Sequence, residues 1–255
     1  MLDRILKYRF RIIVLLELVV GLSAYAADPL PVLQRRQISP AFEYQGGAIP
    51  TLILDADGNV RISTGKEYAP FHPGEVMILP NAPEKTLEWT LEKYFIVVIS
   101  NQKNVVKLTS PTRVTESMQE TIRLLESKGG KIHYFDFSEN EAEDKPNSTM
   151  ADRLESAFQQ KWGRAAVIDR KRSFMVGDAA YASSDERPDG SAGTDHANFD
   201  RRFANQINVT FVEPQIFFGW ETRGVMRFKT PQQVYAYQHL PIIKPCRFRL
   251  PKIAW

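Results

Sequence analysis

The stretch Leu52-Ile53-Leu54-Asp55-Ala56-Asp57-Gly58-Asn59-Val60 sets two carboxylates, two residues apart, at the end of an apolar run. Asp-Gly between β-prone segments is an ordinary hairpin signal, because glycine takes the positive φ that tight turns require. A calcium loop does not fit. An Asp-x-Asp-x-Asn opening needs glycine next and glutamate at its twelfth position, where Val60 and Lys66 stand. The choice between a turn and a reactive site rests on the residues that stand at the ends of the other apolar runs.

Moving outward, short apolar runs alternate with helical patterns. Residues 51–54 read as a buried strand. Residues 83–94 read as a helix with Leu87, Leu91 and Tyr94 on one face, followed by the apolar strand 95–99. Val114, Met118, Ile122 and Leu125 form a helical stripe that stops at Gly129-Gly130. A strand at 131–137, a helix with Met150, Leu154 and Phe158 inward, and strands at 173–176 and 207–212 complete the series. Fully apolar strands suit burial on both faces, so the expected fold is α/β: a Rossmann-like three-layer α/β/α parallel sheet. Ligands of such sheets lie beyond the carboxyl ends of the strands.

The residues at those ends form a chemical set. Asp55 and Asp57 come after the first strand, Ser100-Asn101-Gln102 after the second, and Gly177-Asp178 after the run 173–176, while Asp144-Lys145-Pro146 leads into the third helix. A phosphate monoester resists attack unless its charge is neutralised and a nucleophile is held in line. Asp55 suits the nucleophile, and Asp57 suits the group that protonates the leaving oxygen and then activates water. A hard divalent cation, Mg2+, fits between Asp55, the backbone carbonyl of Asp57 and Asp178. Ser100, with Asn101 beside it, and Lys145 suit the phosphoryl oxygens.

In order, Asp55-x-Asp57-Gly58, Ser100-Asn101, Lys145-Pro146 and Gly177-Asp178 resemble the four motifs of the haloacid dehalogenase superfamily of phosphohydrolases. Ser173 to Ala180, Phe199-Asp200-Arg201-Arg202-Phe203-Ala204-Asn205 and Thr210 to Trp220 resemble the phosphatase domain of polynucleotide kinase 3′-phosphatases. Ser100-Asn101-Gln102 agrees, and Thr64-Gly65-Lys66 is similar to that family's flap. The resemblance implies a haloacid dehalogenase-like fold, an aspartyl-phosphate intermediate, Mg2+ and a nucleic-acid 3′-phosphate as substrate. It also implies Asp200, in preference to Asp195, as a second acid of the fourth motif. The chain departs from the pattern at Asn59, where threonine is usual, and at Tyr181, where Gly-Arg is common. No Gly-x-x-x-x-Gly-Lys-Ser/Thr loop occurs, so no kinase domain is expected within the chain.

The intervals Asp57–Ser100 and Ser100–Lys145 are mostly used by a helix and a strand, which leaves room for a small flap and no large cap domain. A site without a lid admits the end of a polymer. Lys66, Arg170, Lys171 and Arg172, with Arg201 and Arg202, are candidates for backbone phosphates. Tyr68 or Phe71 is a candidate for stacking on a base. Residues 183–196, acidic and glycine-rich, are expected to be flexible.

The 255 residues carry a net charge of +3 and 43% hydrophobic side chains, as a globular chain does. A basic start, an apolar run to Leu22 and Ala24-Tyr25-Ala26 describe a secretory signal over residues 1–26. Glu17 interrupts that run, so an uncleaved N-terminal anchor is the alternative. Cleavage leaves a net charge of +1, which does not by itself demand nucleic acid, and no stable membrane association. The single cysteine, Cys246, excludes an internal disulfide. His72, His133, His196 and His239 show no metal-ligand spacing. The expected organisation is a signal (1–26), an extended entry (27–50), a phosphatase domain (51–220) and a basic C-terminal extension (221–255) that includes Arg223, Arg227, Lys229, Lys244, Arg247, Arg249 and Lys252.

Two further functions compete with a 3′-phosphatase of DNA or oligonucleotide ends. One is an exported phosphatase of small phosphomonoesters, periplasmic or secreted, and the other is a noncatalytic nucleic-acid-binding relative.

Overall fold

Five parallel strands build the sheet: β1 (Thr51–Leu54), β4 (Phe95–Asn101), β5 (Tyr134–Ser138), β6 (Phe174–Val176) and β7 (Thr210–Val212), in spatial order β5-β4-β1-β6-β7. The structure, a computed structural model, describes residues 32–243. The signal segment 1–26, Cys246 and the basic residues Lys244, Arg247, Arg249 and Lys252 lie outside the described residues. All elements below belong to one unit that begins at Leu33.

Side chains alternate across each strand and both faces are covered. Leu52, Leu54, Ile96 and Val98 enter one core, while Ile53, Phe95, Val97 and Ile99 enter the other. Helices α1 (Ala82–Leu91) and α3 (Pro111–Glu126) cover the first face. Helices α4 (Thr149–Trp162) and α5 (Phe199–Gln206) cover the second. The result is the three-layer α/β/α sheet that the run pattern requires. A two-stranded antiparallel hairpin, β2 (Arg61–Ser63) with β3 (Val76–Ile78), leaves β1 as the flap. Its small size, with α2 (Lys103–Leu108) after β4, leaves no cap domain between the described elements. No helix among the described residues is long and apolar enough to cross a membrane.

The structure corrects several expectations. The helix at 83–94 ends at Leu91 and buries Ala82, Pro83, Thr86 and Trp89, while Leu87 and Leu91 are 37% and 70% exposed. Trp89 decides the rotation. Its ring meets Tyr94 edge-on at 4.5 Å and Phe174 at 5.4 Å, burying more area than the leucines can offer. The third strand starts at Tyr134 rather than 131, because the Ile96 N–H donates to His133 Nδ1 (2.9 Å) instead of to a backbone carbonyl. Ile207 caps α5, and the strand expected from 207 starts at Thr210. The segment 183–196 is tied down: Arg187 pairs with Glu213 at 2.6 Å, Arg201 with Asp185 at 2.9 Å, and Ala182 bridges to Asp195.

Two peripheral pieces pack as well. Within the entry segment, Arg35 and Arg36 reach the fully buried Asp136 at 3.0 and 2.9 Å, which Arg153 also meets. Toward the C-terminal end of the described residues, helices α6 (Pro214–Phe217) and α7 (Pro231–Tyr237) flank an aromatic chain in which Phe228 lies between Trp220 (4.8 Å) and Tyr237 (5.4 Å).

Candidate active site

Each site residue follows a strand or opens a helix on one edge of the sheet. Asp55 comes directly after β1, Ser100 is the penultimate residue of β4, Asp178 stands two residues past β6, and Asp200 is the second residue of α5. Lys145 arrives from the loop between β5 and α4. Its backbone is fixed by Asn101, whose side chain accepts from Lys145 N (2.7 Å) and donates to Lys145 O (3.1 Å). Asn101, expected on the phosphate, thus commits its side-chain amide to holding the lysine loop.

Lys145 Nζ donates to Asp55 Oδ1 and Asp200 Oδ1, both at 2.5 Å, and to the Ile99 carbonyl at 3.2 Å. Asp200 Oδ2 accepts from Ala179 N at 3.0 Å. Asp195 instead accepts from Ala180 N and Tyr181 N, and pairs with Arg227. Of these two acids, Asp200 is the one at the lysine.

Carboxylate oxygens of Asp55, Asp178 and Asp200 lie within 4.8 Å of one another, and all three residues are buried. Burial pushes Asp178 up to about 7, with Asp55 and Asp200 adding repulsion. Burial also raises Asp55, with Asp200 adding to it and Lys145 opposing it. Burial disfavours the ammonium of Lys145, yet Asp200 and Asp55 hold its affinity for the proton above the ordinary value. One lysine leaves this buried trio with excess negative charge. An oxygen-only, electron-rich donor set of this kind suits a hard divalent cation such as magnesium. The carbonyl of Asp57 borders the same space, where the Tyr68 hydroxyl sits 3.4 Å from it and donates to Asp178 Oδ2 at 2.9 Å. The residues present therefore fit Mg2+, which Asp55, Asp178 and the Asp57 carbonyl would hold.

Gly58 has a reason beyond the turn. Its φ is +79°, and a Cβ there would stand 2.5 Å from Asp178 Oδ2, so only glycine lets the two strand ends meet. Asn59, at the usual threonine position, points Nδ2 toward Asp55 Oδ2 (3.5 Å) and the Asp57 carbonyl (3.4 Å). Tyr181 lies under the guanidinium groups of Arg201 (4.4 Å) and Arg187 (4.8 Å). That contact gives the second departure a packing role.

A pocket of about 500 Å3 opens over these groups, lined by Asp55, Asp57, Ser100, Lys145, Asp178 and Asp200, with Tyr68, Phe71, Leu108, His196 and Phe199 toward its mouth. Tyr68, Leu108 and Phe199 are exposed there. The basic residues expected on nucleic acid are not among its lining. Arg170, Lys171 and Arg172 precede β6, which places them at the amino edge of a parallel sheet, opposite the site. Arg170 pairs there with Glu155 and Arg172 with Asp169. Lys66 stands exposed in the flap.

One contributor was missed from sequence, Arg61, which pairs with Asp57. Two others stand in contacts that the sequence did not indicate: Gln102 Nε2 donates to Asp57 Oδ2 at 2.5 Å, and Tyr68, read as a candidate for base stacking, reaches Asp178 through its hydroxyl. Arg61 left a signal, a charge between Val60 and Ile62 in an apolar run.

Fold and acid cluster together define a haloacid dehalogenase-like phosphatase, a phosphoric monoester hydrolase. Residues 50–218 match the family model described as polynucleotide kinase 3 phosphatase, and the chain belongs to that family. A protein of Acanthamoeba polyphaga mimivirus, described as a bifunctional polynucleotide phosphatase/kinase, is 26% identical over 145 residues, which cover 53% of this chain and 34% of the relative. The chain thus spans about a third of that relative's length. Among solved structures, D,D-heptose 1,7-bisphosphate phosphatase from B. bronchiseptica, complexed with magnesium and phosphate, gives a TM-score of 0.48 at 16% identity, covering 76% of this chain and 89% of that one. The Pnkp1/Rnl/Hen1 RNA repair complex gives 0.32 at 11% identity, covering 74% and 47%. Likenesses this distant carry no weight for the substrate. With the acid set in place and the family known, the noncatalytic alternative is dropped.

Proposed function

We propose that the chain is a magnesium-dependent phosphatase that removes 3′-phosphates from DNA or oligonucleotide ends through an aspartyl-phosphate on Asp55. Asp55 attacks phosphorus, the bond from phosphorus to the 3′ oxygen breaks, and that oxygen takes the proton of Asp57. Water then attacks the same phosphorus, gives its proton to Asp57, and releases inorganic phosphate and free Asp55. Ser100 and Lys145 hold the non-bridging oxygens while charge develops on them. Magnesium, when bound, neutralises phosphoryl and carboxylate charge so that two anions can approach.

The observation that carries the polymer substrate is the open mouth. A small hairpin flap stands where a cap domain would enclose a metabolite, and exposed Tyr68, Leu108 and Phe199 offer apolar faces at the rim. The test compares turnover of a 3′-phosphorylated oligonucleotide, its 5′-phosphorylated isomer and a small aryl phosphate, with and without magnesium. Preference for the 3′ isomer is expected, and equal or better use of the aryl phosphate refutes the polymer substrate. Asp55→Asn should abolish turnover in a folded chain.

The second reading, an exported phosphatase of small phosphomonoesters, is favoured by the signal-like residues 1–26. Protein recovered from cells should then begin near Ala27, in a periplasmic or secreted fraction.

A further inference from the structure

Among the described residues, Arg61 is a buried cation that the reaction scheme leaves unused. It lies on β2 between Val60 and Ile62 and is 0% exposed. A guanidinium without water is costly unless its donors and its charge are all answered. Nε donates to Asp57 Oδ1 at 2.8 Å, and Nη2 faces Asp57 Oδ2 at 3.5 Å. Nη1 donates to Ser117 Oγ (3.2 Å) and Thr121 Oγ1 (3.0 Å), one turn apart on α3. Thr121 gives its own proton to the Ser117 carbonyl at 2.8 Å, so its hydroxyl oxygen is left to accept.

Asp57 is thereby gripped from two sides. Arg61 takes it from α3, and Gln102 Nε2 takes it from the β4 end, where the same amide nitrogen lies 2.9 Å from Ser100 Oγ. Core packing alone would be served by an apolar side chain between Val60 and Ile62, and more cheaply. A planar fork with fixed donors fits a carboxylate that must keep one orientation, which a lysine cannot reproduce.

We propose that Arg61, anchored by Ser117 and Thr121, is a positioning residue that holds Asp57 in the orientation from which it exchanges a proton with the leaving oxygen. The inference rests on Asp57 being the proton donor. Arg61 touches neither substrate nor metal in this role. Its removal selectively slows the step that needs a proton and leaves substrate binding alone.

The experiment uses the full chain with magnesium and two substrates. One is a 3′-phosphorylated oligonucleotide, whose alkoxide leaving group needs protonation. The other is dinitrophenyl phosphate, whose phenolate leaves without it. Formation of the phosphoenzyme is followed in single turnovers. Arg61→Met should lower kcat on the oligonucleotide by about 10²–10³-fold, within the usual contribution of a general acid, while KM and the dinitrophenolate burst stay within roughly threefold. Arg61→Lys should fall between, because charge returns without the fork. The pair Ser117→Ala and Thr121→Val keeps the ion pair and frees only the anchor. It should show the same selectivity at about three- to tenfold, and it carries the test if Arg61→Met does not fold. Asp57→Asn is the reference. If it is selective and the Arg61 and anchor variants slow both esters equally, Arg61 is structural and the proposal is overturned. If Asp57→Asn itself slows both esters equally, the proton-donor assignment fails and takes this inference with it.

Discussion

Replacing Asp178 by asparagine should make the metal-free chain more stable, although it removes a central group of the site. The carboxyl, ordinarily near 3.8, is pushed up to about 7 by burial and by Asp55 and Asp200. Between these values the folded chain keeps a proton that the unfolded chain has released. Stability therefore falls as pH rises from about 4 to about 7, by ~1.4 kcal/mol per unit of displacement. The full displacement amounts to about 4 kcal/mol at pH 7.5, an upper bound because a buried carboxylate relaxes toward nearby donors. Asparagine carries no such burden, and its oxygen can still accept from the Tyr68 hydroxyl, now 2.9 Å from Asp178 Oδ2. In chelator at pH 7.5, Asp178→Asn should gain about 2–4 kcal/mol, a rise in Tm on the order of 10 °C. Near pH 4 the gain should shrink below ~1 kcal/mol. Added magnesium should raise the Tm of the wild type and leave the variant unmoved. Calorimetry or denaturant titration at the two pH values is the assay. An unchanged or lowered Tm at pH 7.5, or a gain that does not vary with pH, refutes the claim that excess buried negative charge defines this site.

Three other outcomes come from the packing. Gly58→Ala places a Cβ against Asp178 Oδ2 at a φ of +79°, and should cost about 1–3 kcal/mol and weaken magnesium binding by calorimetric titration. Trp89→Ala should destabilise by about 3–5 kcal/mol, whereas Leu91→Ala should stay within about 0.5 kcal/mol; equivalent losses in urea titration would restore the leucine stripe as the buried face. His133, lowered to about 4 by burial with Lys131 adding repulsion, is held neutral while Nδ1 accepts from Ile96 N. Unfolding exposes it to protonation near 6.5, so stability should drop by about 3 kcal/mol as pH falls from 6.5 to 4. A His133→Gln variant that loses stability just as steeply over that range contradicts the assignment.

The sheet was legible because its strands are continuous apolar runs, and only burial on both faces stabilises such runs. Asp55, Ser100 and Asp178 were legible because a parallel sheet delivers the residues at the carboxyl end of each strand to one edge. The rotation of α1 was not legible. Leu87 and Leu91 satisfy helical spacing as well as Thr86 and Trp89 do, and a partner that chooses between them, Phe174, arrives from a distant strand. Arg170, Lys171 and Arg172 looked like a basic patch for nucleic acid, but residues before a parallel strand fall on the far edge from residues after it.

The sequence by itself determined the covalent inventory: which carboxylates, hydroxyl and ammonium can act, and in what order they meet the sheet edge. Tertiary structure decided how those groups divide the work. Folding turns the Asp55 carboxylate toward Lys145 and the acid trio, while the Asp57 carboxylate turns to Arg61 and Gln102. Two identical side chains two residues apart thus acquire different partners. The cause is long-range: Ser117 and Thr121 lie more than fifty residues from the arginine they anchor, and a local pattern carries no record of that contact.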